Sequence, residues 1–518
     1  MKKLILVITA FFLFGMFTAC DNATTQVVTT AESLTTESIT TTQSTQTTVL
    51  ETTSMGVLST PTNIQITNNV ITFTEVDNAT KYRIFLYEEL TGLSGEFNIT
   101  SGFDLSLLMD VGDYSYQLKA TAPGYLDSEL SELTNFSIVD ESRTNILVGD
   151  DMNNLEYVRW LGRTYYNSLE QAKYFFFTAS GFEVTFFGTE LQVTIQANNY
   201  LLDSKQAYVV VFIDGEENPN NGTTIRLTEG IQTITLASGL ENGFHTLKLL
   251  KRSEASDSDT SIVQIETNGY FTTPPAAKTF RIQYIAASSS TGYGNLGTLS
   301  DGKTTTNSDG LRAYAFLTSY LLDADTSIFA ASGWGVSRGY NTNGNISATQ
   351  NIPNAFVNIA INDTNRVFEV GDWDFTDYIP DVIVINLGTN DFNASGYTSM
   401  STIDKAAMSE RFITDYVNFL VLLNNMYPNA KLIVAYGLMN EATTLGTITQ
   451  TVITNANNTI GYTAVFEFLM EAAGSNSNAF GVGYHPNVQT SMNVAEDLAE
   501  LIHTITGREI LRDMIDNE

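Results

Sequence analysis

The spacing of apolar residues changes period near residue 278, and this change limits the fold more than any other feature of the chain. Upstream the period is two. Ile64 and Ile66, Ile71 and Phe73, Tyr82, Ile84 and Leu86, and Tyr114, Tyr116 and Leu118 alternate with other residues across 61–140, as strands with one buried face do. Asp77-Asn78 and Gly112-Asp113 supply turn chemistry between them. Alternation returns across 145–275, in Phe182, Val184 and Phe186 and in Leu191, Val193 and Ile195, with a longer apolar run at 209–213. Short strands at this spacing predict a β-sandwich. Over 278–512, short apolar runs at 282–285, 327–331, 382–387, 432–436 and 464–469 are separated by stretches at helical spacing. These are Leu311, Tyr314, Ala315, Thr318, Leu321 and Leu322; then Ala407, Phe412, Ile413, Tyr416, Phe419, Leu420 and Leu423; and last Met492, Ala495, Leu498, Ala499 and Ile502. Strands alternating with helices predict a parallel sheet covered on both faces, with ligands at the carboxyl ends of its strands. The expected chain is multidomain: two all-β units, then an α/β unit.

Two segments of other character precede these. Residues 1–20 place Lys2 and Lys3 before an apolar stretch that ends at Cys20, a secretory signal pattern. Phe17-Thr-Ala-Cys20 resembles a bacterial lipobox, whose cysteine is lipidated and becomes the mature N-terminus; Phe17 departs from the usual leucine. A plain signal peptide or an N-terminal membrane anchor is the alternative. A lipid on Cys20 implies a secreted lipoprotein at the extracellular face of the cell membrane. Residues 21–60 are dominated by Thr and nearly lack aromatics, so they cannot bury enough apolar surface to offset chain entropy and read as a disordered tether. Cys20 is the only cysteine among 518 residues, which excludes an intrachain disulfide. The net charge of -32 argues against a nucleic-acid partner, whose phosphates would be repelled. The three histidines, His245, His485 and His503, show no metal-ligand spacing, and no metal is expected.

Chemistry concentrates in the α/β unit. Ser288 lies in the Ser/Gly-rich loop that follows the first apolar run, Ser332-Gly-Trp-Gly335 follows the second, Gly388-Thr-Asn-Asp391 the third, and His485 sits in a Gly/Pro-flanked loop before the last helix. A serine needs a base to attack an ester and donors to hold the oxyanion that results. The order Ser, Gly, Asn, His resembles the SGNH (GDSL-type) hydrolases. Trp160-Leu-Gly-Arg163, Phe187-Gly-Thr189, Asp214-Gly215 and the segment from His245 to Glu254 narrow the resemblance to carbohydrate esterase family 2. That family implies a jelly-roll over 145–275 joined to an SGNH hydrolase domain over 278–512. Residues 61–140 resemble a fibronectin type III domain, with Phe73 in place of the usual core tryptophan.

The resemblance implies roles residue by residue. Ser288 is the nucleophile and His485 its base. The Ser288 and Gly333 N–H groups and the Asn390 side-chain amide are the oxyanion donors. Two departures stand out. Ala286-Ala287 replaces the family's Gly-Asp, which puts the order of the loop in doubt, and no carboxylate precedes His485 at the usual place. The sequence looks like the family members that use a Ser-His dyad with a backbone carbonyl orienting the imidazole. Tyr293 and Trp334 flank this centre, where either ring offers a stacking face to a sugar or packs ordinarily; Asp372, Trp373 and Asp374 are further candidates for the cleft. Ser337, in Gly335-Val-Ser-Arg-Gly339, fits the Gly-x-Ser-x-Gly elbow of another hydrolase fold, but Gly333-Trp-Gly335 separates it from a strand end. His245 and His503 read as structural. The implied activity is removal of O-acetyl groups from polysaccharides or oligosaccharides without a cofactor. A catalytically impaired carbohydrate-binding lipoprotein, or an esterase or lipase for other small esters, are the rival readings.

Overall fold

The structure is a computed structural model that describes residues 55–512, apart from 68, 89–91, 93, 110–111, 139–143, 199–201, 341–349, 362–369, 394–396, 398 and 476–478. The expected signal peptide with Cys20, and most of the Thr-rich tether, lie outside the described residues. Ordered chain begins earlier than residue 61: Gly56–Val57 pairs in parallel with Tyr125–Leu126, and Leu58 is buried. Among the described residues no helix is long and apolar enough to cross a membrane.

The first β unit pairs a three-stranded sheet, in the order Thr62–Thr67, Val70–Thr74, Phe103–Asp104, with a four-stranded one, in the order Ser94–Ile99, Lys81–Glu88, Gly112–Thr121, Thr134–Ile138. Both are antiparallel. The alternating residues Ile71, Phe73, Tyr82, Ile84, Leu86, Tyr114, Tyr116 and Leu118 share one core.

The second β unit is a ten-stranded antiparallel sheet built around two long strands, Gly181–Asn198 and Gly230–Lys251. On the first, Phe182, Val184 and Phe186 face the core from even positions, and Leu191, Val193 and Ile195 face the same core from odd ones. The register shift between Gly188 and Glu190 leaves Thr189 unpaired on this strand and changes the parity; the shift between Leu191 and Gln192 places its extra residue, Leu236, on the partner strand. An extra residue in a strand turns every later side chain to the other face, so one strand lines one core along its whole length.

The α/β unit has five parallel strands: β1 (Arg281–Ala286), β2 (Asp325–Ala330), β3 (Val382–Asn386), β4 (Lys431–Tyr436) and β5 (Val465–Leu469). Their order is β2-β1-β3-β4-β5. Among the described residues, four helices of eight residues or more cover it: α1 (Tyr314–Leu321), α2 (Thr402–Met426), α3 (Ala442–Ile460) and α4 (Val488–Thr506). Ile285, Ile383, Ile385, Leu432 and Val434 pack under α2 and α3. Ile282, Tyr284, Val382, Val384 and Ile433 pack under α1 and α4. Burial on both faces explains why these strands read as continuous apolar runs rather than alternating ones. Helix α3 lies beyond the predicted elements. Its Thr- and Asn-rich composition has weak helical preference, yet Leu445, Val452 and Ala456 are buried in the shared core, and tertiary packing decides its state.

The second β unit and the α/β unit are locked together. Arg163 reaches across and donates through Nη1 to the Phe356 carbonyl at 2.6 Å, and also to that of Asn358. Its guanidinium lies 4.3 Å from the Phe329 ring centroid and 4.5 Å from that of Phe356. Burial pushes this guanidinium down to about 9.

Candidate active site

Ser288 follows β1 by two residues and opens the 3-10 turn Ser288–Thr291. Neither Ala286 nor Ala287 has a side chain to brace this turn, and other groups do so. Ser290 Oγ donates to Tyr314 Oη at 2.7 Å, and Asn386 Nδ2 donates to the same oxygen at 2.9 Å. Thr291 Oγ1 donates to the Ser288 carbonyl at 2.9 Å. Downstream, Asn295 exchanges two bonds of 2.8 Å with the backbone of Asp309, and the Gly294 N–H donates to Ser308 Oγ at 2.9 Å.

His485 is delivered by the turn Val482–Tyr484. That turn docks on the serine loop through the Val482 N–H, which donates to the Gly294 carbonyl at 3.0 Å. The approach requires glycine: Gly294 has φ +60°, and a Cβ there would lie 2.3 Å from Val482 Cβ. Two consecutive left-handed residues, Gly483 and Tyr484 (φ 57° and 66°), then turn the chain. His485 Nε2 lies 2.8 Å from Ser288 Oγ, and His485 Nδ1 lies 3.1 Å from the Val482 carbonyl. A carbonyl oxygen only accepts, so Nδ1 carries the proton and Nε2 is left to accept from the serine hydroxyl. This is the tautomer a base requires, set without a carboxylate. Burial lowers the imidazole below its ordinary value, and the Val482 and Gly483 carbonyls oppose that only in part. Tyr293 stacks on the imidazole, with ring centroids 4.2 Å apart and planes 24° from parallel.

Gly333 and Asn390 lie beyond the ends of β2 and β3, the strands that flank β1. Gly333 is left-handed at φ +82°, and its N–H has no partner among the described residues. Asn390 Nδ2 donates to the Trp334 carbonyl at 2.8 Å, which leaves the second amide hydrogen for another acceptor. Ser288, Ser289, Gly388, Thr389, Asn390 and Met439 line a small cleft of about 260 Å³. Two larger clefts lie elsewhere: one of about 470 Å³ at the amino end of the sheet, where Asp325 begins β2, and one of about 490 Å³ lined by residues of the second β unit alone. Glu183, Glu217, Lys248, Lys278 and Arg512 in their linings are already paired with one another, so size does not mark the reactive centre here.

Five further residues that the sequence singles out lie outside the reacting pair. Trp334 is 8 % exposed and belongs to the hydrophobic core, so it presents its carbonyl to the site and keeps its ring inside. Ser337 is fully buried and donates to Asp415 at 2.7 Å, with no imidazole beside it. His245 bridges Asp214 and the Glu241 carbonyl, and His503 bonds the Arg508 carbonyl after the last helix. Trp373 stands near Arg163, 5.4 Å from its guanidinium.

The sequence reasoning passed over two carboxylates. Asp391, fully buried, accepts the N–H groups of Val336, Ser337 and Arg338 at 2.8 to 3.0 Å and so wraps the loop after β2 around itself. Burial pushes this carboxyl up to about 6 while those three donors pull it down. Glu254, from the second β unit, accepts both the N–H and the hydroxyl of Ser332. Each is the last residue of a segment named above, but polar partners 53 to 78 residues away leave no periodic trace.

Residues 160–275 match the family model described as Carbohydrate esterase 2 N-terminal. The chain is 29 % identical over 334 residues to the cellulase/esterase CelE of Acetivibrio thermocellus, an alignment covering 64 % of this chain and 37 % of that protein. The chain thus spans little more than a third of that relative's length. It is 24 % identical over 282 residues to an acetylxylan esterase / glucomannan deacetylase of Cellvibrio japonicus, covering 54 % and 71 %. Among solved structures, a family two carbohydrate esterase from Clostridium thermocellum in complex with cellohexaose superposes with a TM-score of 0.58 at 26 % identity, covering 68 % of this chain and all of that one.

Proposed function

We propose that this chain is a serine carbohydrate esterase that removes O-acetyl groups from polysaccharides or oligosaccharides. The observation that carries the proposal is the 2.8 Å contact between Ser288 Oγ and His485 Nε2, with Nδ1 directed at a carbonyl. The relatives' carbohydrate esterase names and the fold they share with this chain support the substrate class.

In this reading Ser288 Oγ attacks the acetyl carbonyl carbon while its proton passes to His485 Nε2. The carbonyl electrons move onto oxygen, held by the Ser288 and Gly333 N–H groups and the free amide hydrogen of Asn390. Such donors act where charge develops and need no reorganisation. Collapse breaks the bond to the sugar oxygen, which takes the proton from His485. A water molecule then gives its proton to the same nitrogen and attacks the acyl-enzyme, releasing acetate and restoring Ser288. With a carbonyl rather than a carboxylate behind Nδ1, the imidazolium is less stabilised than in a full triad. Lipid on Cys20 would fix the enzyme at the outer face of the membrane, with the tether and a fibronectin type III-like unit over 61–140 as spacers and a jelly-roll over 145–275.

Acetate release from acetylated xylan and glucomannan by the chain lacking residues 1–20 tests the proposal. Ser288→Ala is expected to abolish release and labelling by a serine-directed phosphonate, whereas Ser337→Ala leaves both. Sugar binding with neither turnover nor labelling in the unaltered protein would instead mark a binding protein.

A further inference from the structure

One segment of the second β unit runs past both halves of this centre. Strand Gly230–Lys251 ends there, and the chain continues through Arg252, Ser253 and Glu254. Arg252 donates through Nε to the Ser308 carbonyl at 2.9 Å and through Nη2 to that of Thr306 at 3.0 Å, while its own carbonyl accepts the Gly310 N–H at 3.1 Å. Ser308 Oγ in turn accepts the Gly294 N–H. Arg252 therefore backs the serine loop. Two residues on, Glu254 Oε2 accepts Ser332 Oγ at 2.5 Å and the Ser332 N–H at 3.2 Å. Ser332 immediately precedes Gly333.

Glu254 is 3 % exposed, and a buried carboxylate is costly unless paired and hydrogen-bonded. Lys303 meets that need at 2.9 Å through Oε1. The same ammonium pairs with Asp257 and lies 5.6 Å from the centroid of Tyr293, the ring stacked on His485. An ion pair alone would leave Oε2 without a partner, yet this oxygen takes both donors of Ser332. Gly333 is left-handed, its N–H has no partner among the described residues, and its carbonyl accepts the Tyr340 N–H at 2.7 Å. The peptide that joins Ser332 to Gly333 carries that N–H, so fixing Ser332 fixes one side of the plane in which it points.

We propose that Glu254 is a positioning residue of the hydrolytic site: by holding Ser332 it aims the Gly333 N–H at the oxyanion, so the second β unit completes a centre whose reacting groups all come from the α/β unit. This rests on the esterase reading above. Glu254 touches no reacting atom; it acts through Ser332 and, by way of Lys303, on the ring beneath the base.

The test is steady-state hydrolysis of an aryl acetate by the chain lacking residues 1–20, alongside its Glu254→Gln, Ser332→Ala and Lys278→Met variants. Lys278 pairs with Glu217 and Asp323 at the far end of the same domain seam, so its loss weakens the seam and leaves the centre alone. Glu254→Gln is expected to lower kcat about 10- to 100-fold with KM within about twofold, less than outright loss of an oxyanion donor. Ser332→Ala, which keeps the backbone donor, is expected to lower kcat less, in the same direction and with the same unchanged KM. Phosphonate labelling, which also builds charge on the oxygen in the hole, should slow in step. Lys278→Met should lower the melting temperature without changing kcat. If Glu254→Gln behaves like Lys278→Met, losing stability but keeping kcat, Glu254 is only a seam ion pair and the inference fails while the esterase reading stands. If Glu254→Gln does not fold, Ser332→Ala decides, and an unchanged kcat there overturns the inference. Absence of both turnover and labelling in the unaltered protein removes the esterase reading and this inference with it.

Discussion

Ser288 and His485 stand 197 residues apart in the chain and 2.8 Å apart in space. What makes the pair chemically useful is the Val482 carbonyl on the other ring nitrogen, because it settles which nitrogen is free to take a proton. A base works only when unprotonated, and burial holds His485 below the ordinary imidazole value of 6.5. As pH falls, kcat/KM should therefore stay level past 6.5 and drop only at a lower midpoint. Profiles over about pH 4.5 to 8 with a non-titrating aryl acetate would check this; a midpoint at or above the ordinary value would contradict it. The two residues were legible in the sequence because a Ser/Gly loop after a strand and a histidine before a helix are local patterns. Trp334 was not, since exposure of a ring depends on what packs over it, and here the hydrophobic core does.

Loops, more than strands, set the precision of this centre. The His485 turn reaches the Ser288 loop only because Gly294 has no Cβ to meet Val482. Gly294→Ala should push the two loops apart and lower kcat about a hundredfold, the typical effect of a displacement near 1 Å, with the circular dichroism of the folded protein retained. An unchanged kcat would show that the turn has another hold on the sheet. Asp391 plays the matching part for the loop after β2, gathering three N–H groups on one buried carboxylate. The five parallel strands could be read directly from their apolar runs, being buried on both faces. Helix α3 was missed because Thr, Asn and β-branched residues carry little helical preference, and what holds it is the core on which Leu445, Val452 and Ala456 rest.

Across the whole molecule, the seam between the second β unit and the α/β unit is pinned at both ends of the sheet. At the carboxyl end stand Arg252 and Glu254. At the amino end Glu217 meets Lys248, Lys278 and Arg512, and Asp323 joins the same network. Burial would raise the Glu217 carboxyl, but Lys248 and Lys278 outweigh it and hold it at about 2. A depressed carboxylate contributes stability above its unfolded value of 4.5 and loses it as pH falls from there through about 2. Glu217→Gln should cost about 3 kcal/mol at neutral pH, the linkage equivalent of that depression, and the gap in melting temperature from the parent should close as pH drops through that window. A constant gap would mean that the network is screened and adds little. By itself the sequence determined the order of the units, the strand and helix periods and the functional groups each loop carries, since these depend on residues near one another in the chain. Which carboxylates stand behind that chemistry, and that a β unit contributes one of them, was decided only by tertiary structure, because buried charges take whatever partners packing brings them, at any distance along the chain.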